Sequence, residues 1–181
     1  MPEEQAPDDT DVAALVRAIE AGEDGIAVPG ELLEERPASA DAPARSLYAQ
    51  ILGMTVGQKI KLALRGNQDA RLILVRDTNK LIRRFVLMNP RIGENEVVAL
   101  ARSKNADEDL LRIITERRDW MRLYQVRLGL ATNPKTALPV AIRLVGMLDD
   151  RDLRQVAKSK NVPQAVAAHA RRLLMTTRAP R

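Results

Sequence analysis

Residues able to carry out acid–base or nucleophilic chemistry are scarce in this 181-residue chain, which has one histidine and no cysteine. His169 stands beside Arg171 and Arg172, with no acidic or hydroxyl partner at a fixed spacing, so a structural or solvated histidine is favoured over a catalytic base. The lack of cysteine excludes disulfides, zinc–thiolate sites, iron–sulfur clusters and thiol nucleophiles. No Gly-rich phosphate loop is followed by Lys-Ser or Lys-Thr. We therefore predict a protein that is not an enzyme and uses no cofactor.

Two acidic clusters, at residues 107–109 and 149–152, offer carboxylates that a metal ion could use. Both clusters stand where a helix is predicted to begin. Carboxylates at that position cap free backbone amides and complement the helix dipole. Capping is therefore favoured over metal binding for both clusters.

Arginines recur at equivalent places and are the first candidates for binding. Arg83 and Arg127 each follow an aliphatic residue and precede an Asn-Pro pair by the same number of residues. Either they are structural and bond a helix end or a capping carboxylate, or they begin a row of guanidinium groups that attracts phosphate or an acidic peptide. Further cations would extend such a row, namely Lys80, Arg84, Arg117, Arg118 and Arg122.

Aromatic residues make up only 2% of the chain, and two of them stand close together in the sequence. Trp120 and Tyr124 are four residues apart, which places them on one face of a predicted helix, and Arg127 follows three residues later. Half-exposed aromatics beside arginine are typical of binding hot spots and of base-stacking platforms. In a chain with so few aromatics, the same two side chains are also candidates for filling the core.

The elements that would position these residues contain a repeated pattern. Its first copy runs from Ile82-Arg83 through Val86 to Asn89-Pro90, and its second from Val126-Arg127 through Leu130 to Asn133-Pro134. Each copy predicts a helix that ends before the proline. A second echo, Ala-Arg-Ser-Lys-Asn at 101–105 and Ala-Lys-Ser-Lys-Asn at 157–161, also precedes a predicted helix start.

The Asn-Pro pattern resembles the leucine-rich repeat variant family and, more loosely, HEAT-like repeats. The resemblance covers about residues 67–175, and the chain as a whole resembles bacterial proteins of this repeat class. The second copy departs from the first, because Met121 stands at the place of Asp77. The resemblance implies a right-handed stack of short helices and no common reaction. The iron–sulfur association of the variant family cannot carry over to a chain without cysteine.

Periodicity predicts about ten short helices between residues 46 and 181 and no strand. Apolar residues make up 45% of the chain, enough for a core filled by aliphatic side chains. Helices of this length are marginal alone and are stabilised by stacking on their neighbours. We therefore predict an all-α protein, an α-solenoid built from residues 46–181.

Charge divides the chain in the same place. Residues 1–45 hold 12 Asp and Glu against 3 Lys and Arg, a net charge of −9, whereas residues 46–181 hold 12 against 26, a net charge of +14. The prolines and low hydrophobicity of residues 1–45 predict a mostly disordered acidic arm with one short helix at about 12–21. The basic residues 46–181 form the predicted helical-repeat domain.

Two binding functions remain open. Residues 1–11 lack the features of a signal peptide, and no run of about 18 apolar residues predicts a membrane span, so a cytoplasmic protein without membrane contact is expected. A solenoid surface without catalytic residues is typical of a scaffold or adaptor that binds a protein partner. The alternative is a nucleic-acid-binding helical-repeat protein whose acidic arm modulates binding.

Overall fold

The computed structural model describes residues 9–35 and 45–177, and within those ranges it is all-helical without a β-strand. The helices are α1 (Asp9–Ala21), α2 (Arg45–Leu52), α3 (Val56–Arg65), α4 (Gln68–Leu74), α5 (Lys80–Met88), α6 (Glu94–Arg102), α7 (Glu108–Glu116), α8 (Arg118–Arg122), α9 (Tyr124–Thr132), α10 (Leu138–Val145), α11 (Asp150–Lys158) and α12 (Gln164–Thr177), with a 3-10 helix at Gly30–Leu32. The prediction of an all-α protein is confirmed. None of the described helices combines the length and the apolar character that a membrane span requires.

The chain forms two compact units, unit 1 (Met1–Ile92) and unit 2 (Gly93–Arg181). In unit 1, α3 packs against α1, α4 and α5, and α2 packs against α4. In unit 2, α6 packs against α7 and α9, α9 contacts α8 and α10, and α12 packs against α10 and α11. This division differs from the predicted boundary after residue 45.

Residues 9–35 explain the difference, because they belong to the core of unit 1. Ile19 of α1 and Leu32 of the 3-10 helix are 0% and 2% exposed and lie in one hydrophobic cluster with Ile51 and Ile60. The expectation of a mostly disordered arm therefore does not describe residues 9–35. The predicted helix at about 12–21 corresponds to α1. The rest of the arm, residues 1–8 and 36–44, lies outside the described residues.

Polar contacts also attach the acidic segment to the helices of unit 1. Lys61 of α3 forms an ion pair with Asp24 at 2.7 Å, and Arg71 of α4 forms one with Glu35 at 2.7 Å. The Asp24 side chain is 1% exposed. Further side chains donate hydrogen bonds to backbone carbonyls of the segment, namely Gln58 to Ala27, Arg65 to Ile19, and Asn67 to Glu31 and Glu34. Two carboxylates of the acidic segment are thus neutralised within unit 1.

The first Asn-Pro copy ends α5 with a buried asparagine. Asn89 Nδ2 donates to the carbonyls of Ala63 (3.0 Å) and Gly66 (3.2 Å) at the C-terminal end of α3. Its Oδ1 accepts a hydrogen bond from the amide of Arg91 at 2.9 Å. One side chain therefore satisfies carbonyls that α3 leaves unpaired at its end, and it also fixes the turn after α5.

The second copy ends α9 in the same way. Asn133 Nδ2 donates to the carbonyls of Ala101 and Ser103, both at 2.9 Å, at the C-terminal end of α6. Its Oδ1 accepts from the amide of Lys135 at 3.0 Å. The pairs α3–α5 and α6–α9 are therefore equivalent helix pairs, each linked by the repeated asparagine.

One predicted helix is wrong: the single helix expected over 120–131 is two helices, α8 and α9, separated at Leu123. The backbone of Leu123 is extended, with φ −71° and ψ 117°. In the first copy the equivalent Asn79 caps α5 by accepting from the amide of Leu81. Leu123 offers no capping side chain, so the sequence shows no polar signal at this boundary.

Candidate functional site

The predicted binding residues fall into two groups. Lys80, Arg83 and Arg84 lie on α5 of unit 1, whereas the remaining candidates lie in unit 2: Arg117, Arg118, Trp120, Arg122, Tyr124 and Arg127. Each group therefore has its own surface within its own unit.

Arg83 has a structural role in unit 1. Its guanidinium donates to the backbone carbonyl of Asp77 at 2.5 Å and to that of Thr78 at 3.2 Å. These contacts tie α5 to the turn that precedes it. Lys80 and Arg84 are exposed on the same helix.

Arg127 makes the equivalent contact in unit 2, but less completely. Its guanidinium donates to the carbonyl of Met121 at 3.4 Å and lies 5.7 Å from the ring centroid of Tyr124. Its Nε is buried and has no hydrogen-bond partner among the described residues. The geometry of both repeated arginines fits the structural interpretation better than a solvent-facing row of guanidinium groups.

Tyr124 connects two helices of unit 2. Its hydroxyl donates to Asp152 Oδ2 of α11 at 2.5 Å and accepts from the amide of Asp149 at 3.1 Å. Burial, followed by the hydrogen bond to the Asp152 carboxylate, raises the pKa of Tyr124 above its usual value. Tyr124 is thus a packing residue with a satisfied hydroxyl, and it does not share a helix with Trp120.

The short helix α8 carries the most exposed part of the predicted site. None of its five residues is buried. The guanidinium of Arg117, immediately before α8, lies 4.9 Å from the ring centroid of the half-buried Trp120. Arg118 and Arg122 are exposed on the helix, and Arg122 lies 3.7 Å from the equally exposed Asp119. We call the set Arg117, Arg118, Trp120 and Arg122 the α8 surface.

The α8 surface combines positive charge with an aromatic ring, and this combination is chemically suited to anions. Aromatic and arginine side chains are enriched at binding hot spots, and stacking on an aromatic ring holds a guanidinium group in place. The exposed pair Arg122–Asp119 contributes little to stability, so Arg122 remains available to a ligand. No group in this set could act as a general base.

Metal binding is not favoured at the acidic clusters. The Asp107 carboxylate accepts from the amide of Leu110 at 2.9 Å, so the predicted capping role is confirmed there. Asp149 begins α11 without a capping bond from its side chain, and Asp152 binds Tyr124 instead. Within the part of the chain that the structure describes, no cluster of three or more His, Asp or Glu residues is placed to hold a metal ion.

Sequence reasoning did not single out Thr136, which lines an open groove of about 350 Å³ in unit 2. The groove lies between α7 and the start of α10. Its lining residues are Glu108, Asp109, Leu111, Arg112, Thr115, Thr136, Ala137 and Val140. Thr136 is 6% exposed, and its hydroxyl has no hydrogen-bond partner among the described residues.

The signal that could have indicated Thr136 is a turn that occurs four times. Helices α5, α6, α9 and α11 each end at an Asn or Ser whose side-chain oxygen accepts from the amide two residues later. The residue three places after that Asn or Ser is Ile92, Ala106, Thr136 or Val162. Only Thr136 places a hydroxyl where the other three turns have an apolar side chain.

Comparison of the chain with protein-family models, with characterised proteins and with solved structures finds no match. Function is therefore inferred from the geometry of the described residues.

Proposed function

We propose that the protein is a non-enzymatic interaction module, a scaffold or adaptor, whose α8 surface binds an acidic segment of a protein partner. The observation that carries the proposal is the contact between Arg117 and Trp120 on a helix without buried residues. An aromatic ring and two arginines on one short helix, with a third arginine immediately before it, provide apolar contact and positive charge together. An acidic peptide with apolar side chains needs both.

The charge of unit 2 supports this choice. By sequence, residues 1–92 hold 14 Asp and Glu against 12 Lys and Arg, a net charge of −2, whereas residues 93–181 hold 10 against 17, a net charge of +7. Positive potential over unit 2 would raise the rate at which an acidic partner associates.

The finer architecture is part of the proposal. The equivalent pairs α3–α5 and α6–α9, each joined by its asparagine, support a helical-repeat protein of the α-solenoid kind, related to the leucine-rich repeat variant or HEAT-like families. A cytoplasmic adaptor is the role that such an architecture fits.

Nucleic acid is the alternative ligand, and the same residues favour it. A ring that stacks with a guanidinium group also stacks with a base, and the net charge of unit 2 suits a phosphate backbone. Modulation of this binding by the acidic arm is less favoured. Asp24 and Glu35 are already paired with Lys61 and Arg71 in unit 1.

The test is a fluorescence anisotropy titration of the full-length protein against labelled probes. The probes are a peptide of ~12 residues that combines glutamate with leucine, its glutamine counterpart, and single- and double-stranded DNA of ~20 nucleotides, at ~50 and ~200 mM salt. We expect binding of the glutamate peptide and weaker binding of the glutamine peptide. Trp120→Leu should weaken the binding by about tenfold, because it removes the aromatic ring. Met147→Ala, at an exposed apolar residue of unit 2, is the control.

Equal affinity for both peptides would contradict the proposal. Tight, steeply salt-dependent binding of DNA, with no binding of the acidic peptide, would replace it with the nucleic-acid alternative.

A further inference from the structure

Residues 24–28, which we call the strap, lie against α3 without regular secondary structure. Among the described residues, none of their backbone groups bonds to another backbone group. Two side chains of α3 hold the strap instead. Lys61 Nζ donates to the Asp24 carboxylate and to the carbonyl of Ile26, both at 2.7 Å, and Gln58 donates to the carbonyl of Ala27 at 2.9 Å. A carboxylate and two main-chain carbonyls are thus recognised by side chains, as they are in a bound peptide.

Ile26 adds an apolar contact that depends on a glycine. A Cβ at Gly57 of α3 would come within 3.4 Å of the Ile26 Cδ1, so the glycine provides the space that this side chain fills. Ile26 and Val28 are half-buried and pack against the core of unit 1, and neither is fully buried. The strap therefore faces a cation, an amide and an apolar gap on α3.

The equivalent helix of unit 2 lacks these three groups. The two helices can be aligned at their starts, because Gln58 of α3 and Glu96 of α6 each accept a hydrogen bond from the amide of the N-cap residue. In this alignment the residues at the places of Gly57, Gln58 and Lys61 are Asn95, Glu96 and Ala99. A glutamate side chain cannot donate to a carbonyl, and alanine carries no charge. The repeated helix pair thus folds without the three groups, and in α3 they serve to bind the strap.

The strap is held in a way that favours local opening. Gly22 and Gly25 lie on either side of Asp24, and glycine adopts a wide range of backbone conformations. The Asp24 Oδ2 atom is buried without a hydrogen-bond partner among the described residues, so opening returns it to water. A buried ion pair adds little net stability, and local opening costs least where few apolar groups are buried.

We propose that the strap is an intramolecular ligand that opens, so that an acidic segment of a partner protein takes its place on α3. A carboxylate of the partner pairs with Lys61, a main-chain carbonyl accepts from Gln58, and an aliphatic side chain fills the space beside Gly57. The strap defines this chemistry, since its own carboxylate, carbonyl and aliphatic side chain make these contacts. The surface lies in unit 1 and is independent of the α8 surface in unit 2.

The experiment is an NMR titration of ¹⁵N-labelled full-length protein with a blocked peptide of the sequence of residues 22–29, Gly-Glu-Asp-Gly-Ile-Ala-Val-Pro. A second peptide has asparagine in place of aspartate. The double variant Asp24→Asn with Ile26→Ala weakens the strap. It should bind the aspartate peptide at least about tenfold more tightly than the wild type does, because the tethered strap competes at ~mM effective concentration. The asparagine peptide should bind about fivefold more weakly.

A third substitution assigns the binding to α3. Lys61→Met, added to the double variant, keeps an aliphatic side chain and removes the charge, so it should weaken binding of the aspartate peptide by about fivefold or more. Lys80→Met, at an exposed lysine of unit 1, is the matched control and should leave the affinity unchanged. The amides of Gly57 and Gln58 should shift in the double variant when the aspartate peptide is added.

A measurement on the wild type tests the opening itself. The Ile26 amide donates to Asp24 Oδ1 at 2.8 Å, so its hydrogen exchange reports on the strap. Its protection factor should be at least about a hundredfold lower than that of the Leu62 amide, at a buried residue of α3. Equal protection would mean that the strap opens only when unit 1 unfolds and would overturn the inference.

The inference is also overturned if the wild type and the double variant bind the aspartate peptide equally. A dimer formed by the double variant without peptide would assign the surface to a second copy of the chain and exclude the proposed partner. Trp120 is the only tryptophan, so its indole N–H signal reports separately on the α8 surface. An indole response to the glutamate peptide, with no shift of α3 by the strap peptide, would overturn this inference alone. The reverse pattern would support the inference and contradict binding at the α8 surface.

Discussion

The two Asn-Pro copies share their structural bonds and differ in the polar groups that they leave unpaired. Asn89 in unit 1 and Asn133 in unit 2 each donate to two carbonyls at the end of a neighbouring helix. Arg83 donates to two carbonyls of the preceding turn, whereas Arg127 donates to one and keeps a buried Nε without a described partner. The unit 2 copy is thus the less completely satisfied one.

The third residue after each repeated asparagine shows the same contrast. Unit 1 has the half-buried Ile92 there, and unit 2 has the buried hydroxyl of Thr136, which has no hydrogen-bond partner in the described part of the chain. What the copies share is what both helix pairs need in order to fold. Departures from a shared local pattern are expected at functional sites, so the comparison directs attention to unit 2.

The largest effect is expected when the hydrogen bonds of the repeated asparagines are removed. Asn89→Ala and Asn133→Ala each remove three hydrogen bonds and leave one buried carbonyl, that of Ala63 or Ala101, without its side-chain donor, so each should lower the free energy of unfolding by about 3 kcal/mol. Urea denaturation followed by circular dichroism measures this change. Asn105→Ala, at an exposed asparagine, is the control. If only one of the two buried asparagines mattered, the helix pairs would not be equivalent.

A smaller effect is expected at Tyr124, a tyrosine that is present only in the unit 2 copy. Tyr124→Phe removes the hydrogen bond that the hydroxyl donates to the Asp152 carboxylate and the one that it accepts from the Asp149 amide. It should therefore lower the free energy of unfolding by about 2 kcal/mol. Tyr48→Phe, at a 46% exposed tyrosine, serves as the matched control and should change little. Equal effects of the two substitutions would mean that the Asp152 contact contributes nothing.

A stabilising substitution tests the unpaired hydroxyl. Thr136→Val replaces it with a methyl group of the same size and should raise the free energy of unfolding by about 1 kcal/mol. A fall in thermal and urea stability would show that the hydroxyl is satisfied in the folded protein.

The ion pair between Lys61 and Asp24 should make the stability of the protein depend on pH. The hydrogen bond and charge of Lys61 lower the pKa of Asp24. The folded state therefore binds this proton more weakly than the unfolded state, so the stabilisation is present above the unfolded-state pKa and is lost as pH falls through the folded-state pKa. Asp24→Asn should be less stable than the wild type near pH 7, and the difference should shrink as pH falls toward ~3.

Urea midpoints measured across this pH range check the prediction. Glu20→Gln, at an exposed carboxylate on α1, should run parallel to the wild type. A constant difference between Asp24→Asn and the wild type would exclude the ion pair as the cause.

Local patterns predicted most of the helices, because the Asn-Pro stops and caps such as Thr55 and Asp107 act within a few residues. The break at Leu123 was missed because no polar residue caps α9. The burial of Ile19 and Leu32 was missed because it depends on contacts with distant helices. No local pattern indicates Thr136, because its place is defined by the hydrogen bonds of a turn that recurs after α5, α6 and α11.

The candidate site was predictable in part. The sequence identified the α8 residues, but it placed Trp120 and Tyr124 on one helix. It also left the roles of Arg83 and Arg127 open, because their acceptors are backbone carbonyls that composition does not reveal.

The most direct test of a binding surface on α8 compares two double variants. One combines Arg118→Ala with Arg122→Ala in unit 2, and the other combines Lys80→Ala with Arg84→Ala in unit 1. Each double variant removes two positive charges from exposed positions of one helix. Anisotropy titration with the labelled glutamate peptide should show a loss of about tenfold for the unit 2 pair and little change for the unit 1 pair. Equal losses would mean that net charge alone attracts the peptide and would contradict a binding surface on α8.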